Sequence, residues 1–107
     1  MKTFPILVLA VASLLCEFQL EAGESGPVRV LFLGHESEHH NSNEYFPMAA
    51  RALGRDAIYF DYVTEVEDAF GDANQLAKFD AVLLYANHEF ITAQQWKNLK
   101  TYVEDGG

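Results

Sequence analysis

Three short runs of apolar residues recur along the chain, and each is followed by a longer stretch with helical spacing. The runs are VRVLFL at residues 28–33, AIYFDYV at 57–63 and AVLLY at 81–85. The first and third are almost unbroken, which is typical of parallel strands buried on both faces. The second is rich in aromatic and β-branched residues, which favour strands. The pattern therefore predicts three strands in this order.

A helix is predicted between the first two strands, beginning near Asn41 or Ser42. Asn41 is the expected N-cap, Glu44 its capping-box partner, and Gly54 the C-terminal stop. Apolar residues that recur at helical spacing are expected to form the buried face of this helix. They are Tyr45, Met48, Ala49, Ala52 and Leu53.

Two further helical segments are predicted in the second half of the chain. The connection between the second and third strands contains a short helical turn over residues 74–77, with Asp72 as its cap. The last helix is capped by Thr92, has Gln95 in the capping-box position, and ends at the Gly-Gly pair of residues 106–107. The residues expected to pack inward are Leu76 and Phe79 in the first segment and Ile91, Trp96, Leu99 and Val103 in the last.

The alternation of strands and helices predicts an α/β fold with a parallel sheet and right-handed crossovers. A doubly wound sheet would order these strands 2-1-3. Three parallel strands leave an uncovered edge, and a helix that closes on Gly-Gly normally leads into another strand. We therefore expect residues 26–107 to be the N-terminal part of a domain whose C-terminal half is missing.

The charge of the chain excludes two classes of partner. The net charge is −9, with only 7 Lys and Arg residues. Nucleic-acid binding requires clustered basic residues that neutralise phosphates, and the sequence has no such cluster. An anionic membrane surface would repel the chain for the same reason.

The first 25 residues have the pattern of a secretory signal peptide. Lys2 provides a short positive region, residues 4–15 form an almost unbroken apolar run, and small residues follow at Ala22, Gly23 and Ser25. The run would reach roughly 18 Å as a helix, short of a hydrocarbon core of roughly 30 Å, so no stable membrane span is predicted. The expected location is therefore secreted or periplasmic. The alternative is a lipid anchor through Cys16.

All four histidines follow the predicted carboxyl ends of strands. His35, His39 and His40 lie in the segment GHESEHHNSNEY after the first strand, and His88 follows the third. With the order 2-1-3 the first and third strands are neighbours, so their outgoing loops meet at the switch point where such sheets bind ligands. Other polar residues of this rim are Glu36, Glu38, Asn41, Tyr85, Asn87 and Glu89.

Two kinds of chemistry fit these residues. His35, His39 and His88 could exchange protons with a substrate, because histidine titrates near neutral pH. The same three residues could instead hold a divalent metal such as zinc, which takes three or four N, O or S ligands. The string HESEH matches the zincin pattern, but that motif needs a helix, and this string follows a strand. The sequence has no G-x-S-x-G elbow and no glycine-rich phosphate loop after the first strand.

The segments VRVLFLGHESEHHNSNEY, DAVLLYANHE and ITAQQWKNLKTYVEDGG together resemble the ThuA-like (trehalose-utilisation-like) domain. This family is a branch of the class I glutamine amidotransferase-like, flavodoxin-like folds. The resemblance extends from about residue 28 to the end. It implies a flavodoxin-like parallel sheet with flanking helices, of which three strands are present here.

The resemblance also implies a role in sugar metabolism, with a carbohydrate or sugar-derived ligand at the strand ends. Related amidotransferases carry a nucleophilic cysteine beyond the part that is present, and ThuA-like proteins generally do not work as amidotransferases. Whether the domain catalyses a reaction or only binds its ligand is left open, as is the presence of further domains in the full-length chain. The expected ligand-binding residues are His40, Asn41, Tyr85 and Asn87, beside the three catalytic histidines.

Overall fold

The computed structural model describes residues 26–107, which form a parallel sheet of three strands flanked by four helices. The elements are β1 (Val28–Gly34), α1 (Ser42–Gly54), β2 (Ile58–Val63), α2 (Val66–Phe70), α3 (Ala73–Leu76), β3 (Ala81–Tyr85) and α4 (Ala93–Glu104). The expected signal peptide, with Cys16, lies outside the described residues. Within those residues every helix is too short or too polar to cross a membrane.

The strand order is β2-β1-β3, and both pairings are parallel, as the sequence predicted. Val30 of β1 is aligned with Phe60 of β2, and Gly34 is aligned with Tyr85 at the end of β3. The fold is therefore a small, incomplete α/β sheet of the flavodoxin-like kind. Because β1 is central, the carboxyl ends of β1 and β3 lie side by side.

The central strand is buried on both faces, as the apolar run predicted. Leu31 and Leu33 are each 3% exposed and face α2, α3 and α4. Phe32 is on the opposite face and makes edge contacts with aromatic rings of α1 and β2, at centroid distances of 5.3 to 5.9 Å. The buried residues around Leu31 and Leu33 are Ala69, Phe70, Leu76 and Tyr102. One face thus packs a mixed aliphatic and aromatic layer, and the other packs an aromatic layer.

The short helix α3 forms as predicted. The Asp72 carboxylate accepts hydrogen bonds from the backbone N–H groups of Asn74, at 2.8 Å, and Gln75, at 3.2 Å. Leu76 is 1% exposed, so this single turn fixes one of the most buried side chains of the described residues. A second short helix, α2, precedes it and was not predicted.

The predicted buried face of α1 is wrong. Tyr45 is 47% exposed and Met48 67% exposed, and Leu53 is also exposed. The helix instead contacts the sheet through Ser42, which is fully buried, and Phe46, whose ring stacks on Tyr62 at 4.3 Å. Phe46 packs against the aromatic layer in place of the adjacent Tyr45. Because neighbouring helical residues are roughly 100° apart, the helix is rotated by about that angle from the predicted orientation.

The predicted ends of α1 also need correction. Asn41 occupies the N-cap position, but its side chain makes no capping hydrogen bond, so the predicted box with Glu44 does not form. Gly54 is the last helical residue and not a left-handed stop. The left-handed conformation occurs three residues later, at Ala57, whose φ is +58°.

Helix α4 has the predicted capping box but buries a different face. Thr92 Oγ1 accepts from the Gln95 N–H at 3.1 Å, and the Gln95 side chain accepts from the Thr92 N–H at 2.9 Å. The inward residues are Gln95, Asn98 and Tyr102. Of the predicted apolar side, Leu99 is partly buried, while Ile91, Trp96 and Val103 are exposed.

Hydrogen bonds explain why polar residues of α4 point inward. Asn98 Nδ2 donates to the Phe70 carbonyl at 2.7 Å, and Gln95 Nε2 donates to the Glu67 carboxylate at 2.6 Å. Phe70 and Glu67 belong to α2, so α4 is bound to α2 by polar contacts. Its apolar stripe therefore turns towards the outer side of β3.

The outer side of β3 is apolar and open. Leu83 and Leu84, which point to opposite faces of the strand, are 41% and 56% exposed. An apolar groove of about 330 Å³ lies between β3 and α4. Within residues 26–107, β3 pairs only with β1, and its sequence AVLLY has none of the charges or prolines that protect natural edge strands. By contrast β2, at the other edge, carries Asp61, which forms an ion pair with Arg29 at 3.1 Å.

We predict that residues 26–107 produced on their own unfold over a broad, non-cooperative thermal transition. The open groove and unprotected edge leave too little apolar surface buried for an independent core. The full-length protein is expected to unfold sharply when followed by circular dichroism. A sharp transition in the isolated segment would contradict this prediction.

A second prediction concerns Tyr102, whose hydroxyl donates to the Phe79 carbonyl at 2.9 Å. Burial, and secondarily the charge of Asp80, raise the pKa of Tyr102 above its ordinary value of 10.0. The folded protein thus holds this proton more tightly than the unfolded chain, so the stabilisation is complete below pH 10.0 and is lost as the pH rises through the folded-state pKa.

In urea unfolding of the full-length protein at neutral pH, Tyr102→Phe should lower the free energy of unfolding by about 1 kcal/mol, through the lost hydrogen bond. The difference between wild type and variant should shrink in the alkaline range, because phenylalanine does not ionise. A difference that stays constant above the ordinary tyrosine pKa would rule out this role of Tyr102.

Candidate functional site

The structure brings His35 and His88 into direct contact. His35 follows β1 and His88 follows β3, and their rings stack with centroids 4.1 Å apart and planes inclined by 27°. Both side chains are partly buried. This contact follows from the strand order, since neighbouring parallel strands end at the same edge of the sheet.

One nitrogen of His35 is held by Asn87. Nδ1 of the imidazole lies against the side-chain oxygen of Asn87. A carboxamide oxygen only accepts hydrogen bonds, so Nδ1 carries the hydrogen in the neutral ring. Nε2 of His35 is then the nitrogen with a free lone pair.

One nitrogen of His88 is held in the same way by the backbone. Its Nε2 lies 2.7 Å from the carbonyl oxygen of Thr64, the residue after β2. Because a backbone carbonyl only accepts, Nε2 carries the hydrogen and Nδ1 has the free lone pair. Each imidazole of the pair therefore has a fixed tautomer and one nitrogen able to accept a proton or a hydrogen bond.

The position of His35 depends on the buried hydroxyl of Ser42. The backbone N–H of His35 donates to Ser42 Oγ at 2.8 Å, and the N–H of Ser42 donates to the His35 carbonyl at 3.3 Å. Ser42 Oγ also lies 2.6 Å from the Tyr62 hydroxyl. Since the exposure of Ser42 is 0%, this hydroxyl is a structural group and not a nucleophile open to a substrate.

A chain of side-chain hydrogen bonds returns from Ser42 to the histidine loop. The Tyr62 hydroxyl donates to Asn43 Oδ1, and Asn43 Nδ2 donates to the Glu36 carboxylate. Tyr62 therefore accepts the hydrogen of Ser42 Oγ. The chain begins at the backbone of residue 35 and ends at the side chain of residue 36, so it closes the loop on itself.

Gly34 allows this arrangement because it has no side chain. A Cβ at this position would clash with the Ser42 hydroxyl and would lie 2.6 Å from two atoms of the Tyr62 ring and hydroxyl. These distances are far shorter than real Cβ contacts, so the first turn of α1 could not approach the end of β1. Glycine is needed here for close approach and not for an unusual φ angle.

The other predicted ligand-binding residues form a second group. His40 and Tyr85 make an edge contact at 5.9 Å, and Tyr85 makes another with Tyr45 at 6.1 Å. His40 Nδ1 is buried and has no hydrogen-bond partner among the described residues. Asn41 is exposed and forms an isolated antiparallel bridge with Glu36.

The structure does not assemble the predicted metal ligands. Within residues 26–107, no group of three or more His, Cys, Asp or Glu side chains is arranged to hold a metal ion. His39 is exposed and shares no ring contact or hydrogen bond with His35 or His88 in this part of the chain. His35 and His88 meet face to face, whereas zinc needs nitrogen lone pairs that converge on one point.

Sequence reasoning missed three residues of the site. Ser42 was considered only as a possible helix start, and Tyr62 only as part of the second strand. Thr64 contributes only its backbone carbonyl, and the sequence carries no signal that marks a backbone carbonyl as part of a site. The signal for Ser42 was its place after the N-cap and opposite a strand-ending glycine.

We predict that Ser42→Ala destabilises the full-length protein by about 1–3 kcal/mol, because it leaves the partly buried His35 N–H without its acceptor. Tyr62→Phe keeps the ring stacked on Phe46 and should cost less. Ser37→Ala is the matched control, since Ser37 Oγ accepts only from the N–H of His40, at 3.0 Å, in a more exposed part of the loop. Equal losses in the two serine variants, measured by urea unfolding, would show that Ser42 has no special role.

Comparison of the chain with protein-family models, with curated proteins and with solved structures found no match in any of the three.

Proposed function

We propose that this chain is part of a ThuA-like domain that binds a carbohydrate or sugar-derived ligand at the carboxyl ends of β1 and β3, and exchanges protons with its hydroxyl groups. The observation that carries the proposal is the stacked pair of His35 and His88, whose tautomers are fixed by Asn87 and Thr64. Each ring presents one lone-pair nitrogen to a ligand.

The chemistry of the pair suits a hydroxyl group. An imidazole nitrogen without hydrogen accepts a hydrogen bond from a sugar hydroxyl, and in a reaction it can accept the proton itself. A fixed tautomer means that no ring has to rotate or exchange its hydrogen before the ligand binds. Asn87 already orients His35, so it is a positioning residue of the same site.

The location agrees with this chemistry. Parallel α/β sheets bind ligands at the switch point between strands whose crossovers go in opposite directions, and β1 and β3 flank that point here. The motifs around β1, β3 and α4 are those that resemble the ThuA-like family. The apolar run at residues 4–15 supports export of the protein, which would expose the site to extracellular or periplasmic sugars.

The proposal predicts that His35→Ala and His88→Ala each weaken sugar binding by the full-length protein about tenfold, the loss expected for one good hydrogen bond. Binding would be measured by isothermal calorimetry with monosaccharides and with disaccharides such as trehalose. His39→Ala is the matched control, since it changes a histidine of the same loop that lies outside the pair. Its effect should be less than about twofold.

Affinity that survives the double variant His35→Ala with His88→Ala would reject the proposal. The same titrations in EDTA and in added zinc separate it from a metal-binding module. The affinity for sugar should be the same in EDTA and in added zinc. Sugar binding that requires zinc would favour the metal-binding module instead.

A further inference from the structure

We infer that an apolar cavity beside His88 binds an uncharged ligand group of the size of one six-membered ring, which donates one hydrogen bond to the imidazole. The inference uses a histidine of the proposed site, but it does not depend on the ligand being a sugar. It assigns a binding role to Leu84 and Trp96, which the sequence pattern had placed in the core.

The cavity lies at the carboxyl end of the sheet, on the face that α2 and α4 cover. Its volume is about 220 Å³. Leu33 and Leu84 line it from the sheet, Phe70 from α2 and Trp96 from α4. His88 also lines the cavity, and its ring stacks on His35. The cavity and the histidine pair therefore share a side chain.

Hydrogen bonds fix the two helical walls of the cavity relative to each other. Gln95 Nε2 of α4 donates to the Glu67 carboxylate of α2 at 2.6 Å, and Asn98 Nδ2 donates to the Phe70 carbonyl at 2.7 Å. With α4 held in this position, Leu84 on the sheet side stays 56% exposed. The cavity thus belongs to the folded arrangement, and a ligand would remove its apolar surface from water.

Two aromatic side chains of the cavity are strongly exposed. Trp96 is 56% exposed, and Phe90, in the loop after β3, is 75% exposed. Both line the cavity together with the more buried Phe70 and Leu33. Large apolar side chains that stay exposed around a concave surface mark a place where a ligand binds.

The chemistry of the lining defines the ligand. None of the described residues that line the cavity is an acid, a lysine or an arginine, so a charged group would lose its hydration there without compensation. Among these residues only His88 has a hydrogen-bond acceptor in its side chain. Because its Nε2 is bound to the Thr64 carbonyl, the acceptor is Nδ1. An apolar group with one hydroxyl matches this lining.

The volume limits the size of the group. Apolar protein cavities of about 150 Å³ bind benzene. A cavity of about 220 Å³ accommodates one six-membered ring with small substituents. A methyl-substituted phenol is therefore a suitable probe.

The test is a fluorescence titration of the full-length protein with p-cresol, toluene and p-toluate, which share the ring and the methyl group. Trp96 is the only tryptophan of the 107 residues, and Trp96→Phe identifies its signal. p-Cresol should change this signal saturably and bind about tenfold more tightly than toluene, the gain expected for one hydrogen bond. It should also bind at least about tenfold more tightly than the anion p-toluate.

Two variants test the assigned contacts. His88→Phe, which keeps a ring at this position, should bind toluene as wild type does and lose the preference for p-cresol. Leu84→Glu places a carboxylate in the cavity and should weaken p-cresol binding at least about tenfold. Leu83→Glu is the matched control, because Leu83 is exposed on the opposite face of β3 and does not line the cavity. Its affinity should stay within about twofold of wild type.

The outcomes separate this inference from the sugar proposal. Equal losses in Leu84→Glu and Leu83→Glu, with equal thermal unfolding of the two variants, would overturn the cavity site. So would a ligand-free protein in which Trp96 is already protected from acrylamide, since a polypeptide segment would then fill the cavity. Equal affinity for p-cresol and toluene would reject the hydrogen bond to His88. The sugar titrations use other probes, so either proposal can fail while the other stands.

Discussion

The buried hydroxyl of Ser42 is the contact on which the site depends. It joins the end of β1 to the start of α1 by accepting from the N–H of His35, and it joins both to β2 through Tyr62. The contact is possible only because Gly34 has no Cβ. A hydroxyl with no exposure to water must have its hydrogen bonds satisfied within the protein, so this junction allows little variation in where His35 lies.

The requirement that buried polar groups be hydrogen-bonded also sets the rotation of the other long helix, α4. Asn98 and Gln95 direct α4 towards α2 because their amide groups satisfy a buried carbonyl and a carboxylate there. Trp96 and Val103 then face outward, over the open side of β3. In both α1 and α4, a buried polar contact helps to fix which face turns inward: Ser42 with Tyr62 in α1, and Gln95 and Asn98 with α2 in α4.

This difference explains what the sequence could predict. The strands, their order and the caps at Asp72 and Thr92 depend on local patterns and on topology rules, and they were predicted correctly. The buried faces of α1 and α4 depend on partners far along the chain, such as Tyr62 for Phe46, which spacing within one helix cannot reveal. The meeting of His35 with His88 was foreseen from the strand order. The hydrogen bond from His88 to the Thr64 carbonyl was not foreseen, because every residue has a backbone carbonyl and the sequence does not mark this one.

The tautomers of the pair link the chemistry of the site to the order of the sheet. His35 follows β1 but is held by Asn87 after β3, and His88 follows β3 but is held by Thr64 after β2. Each imidazole thus takes its acceptor from a different strand. A slip of one residue in either pairing would move an acceptor by about 3.3 Å and break its hydrogen bond. The free nitrogens are therefore defined only when all three strands are in register, so the site cannot form from the histidine loop alone.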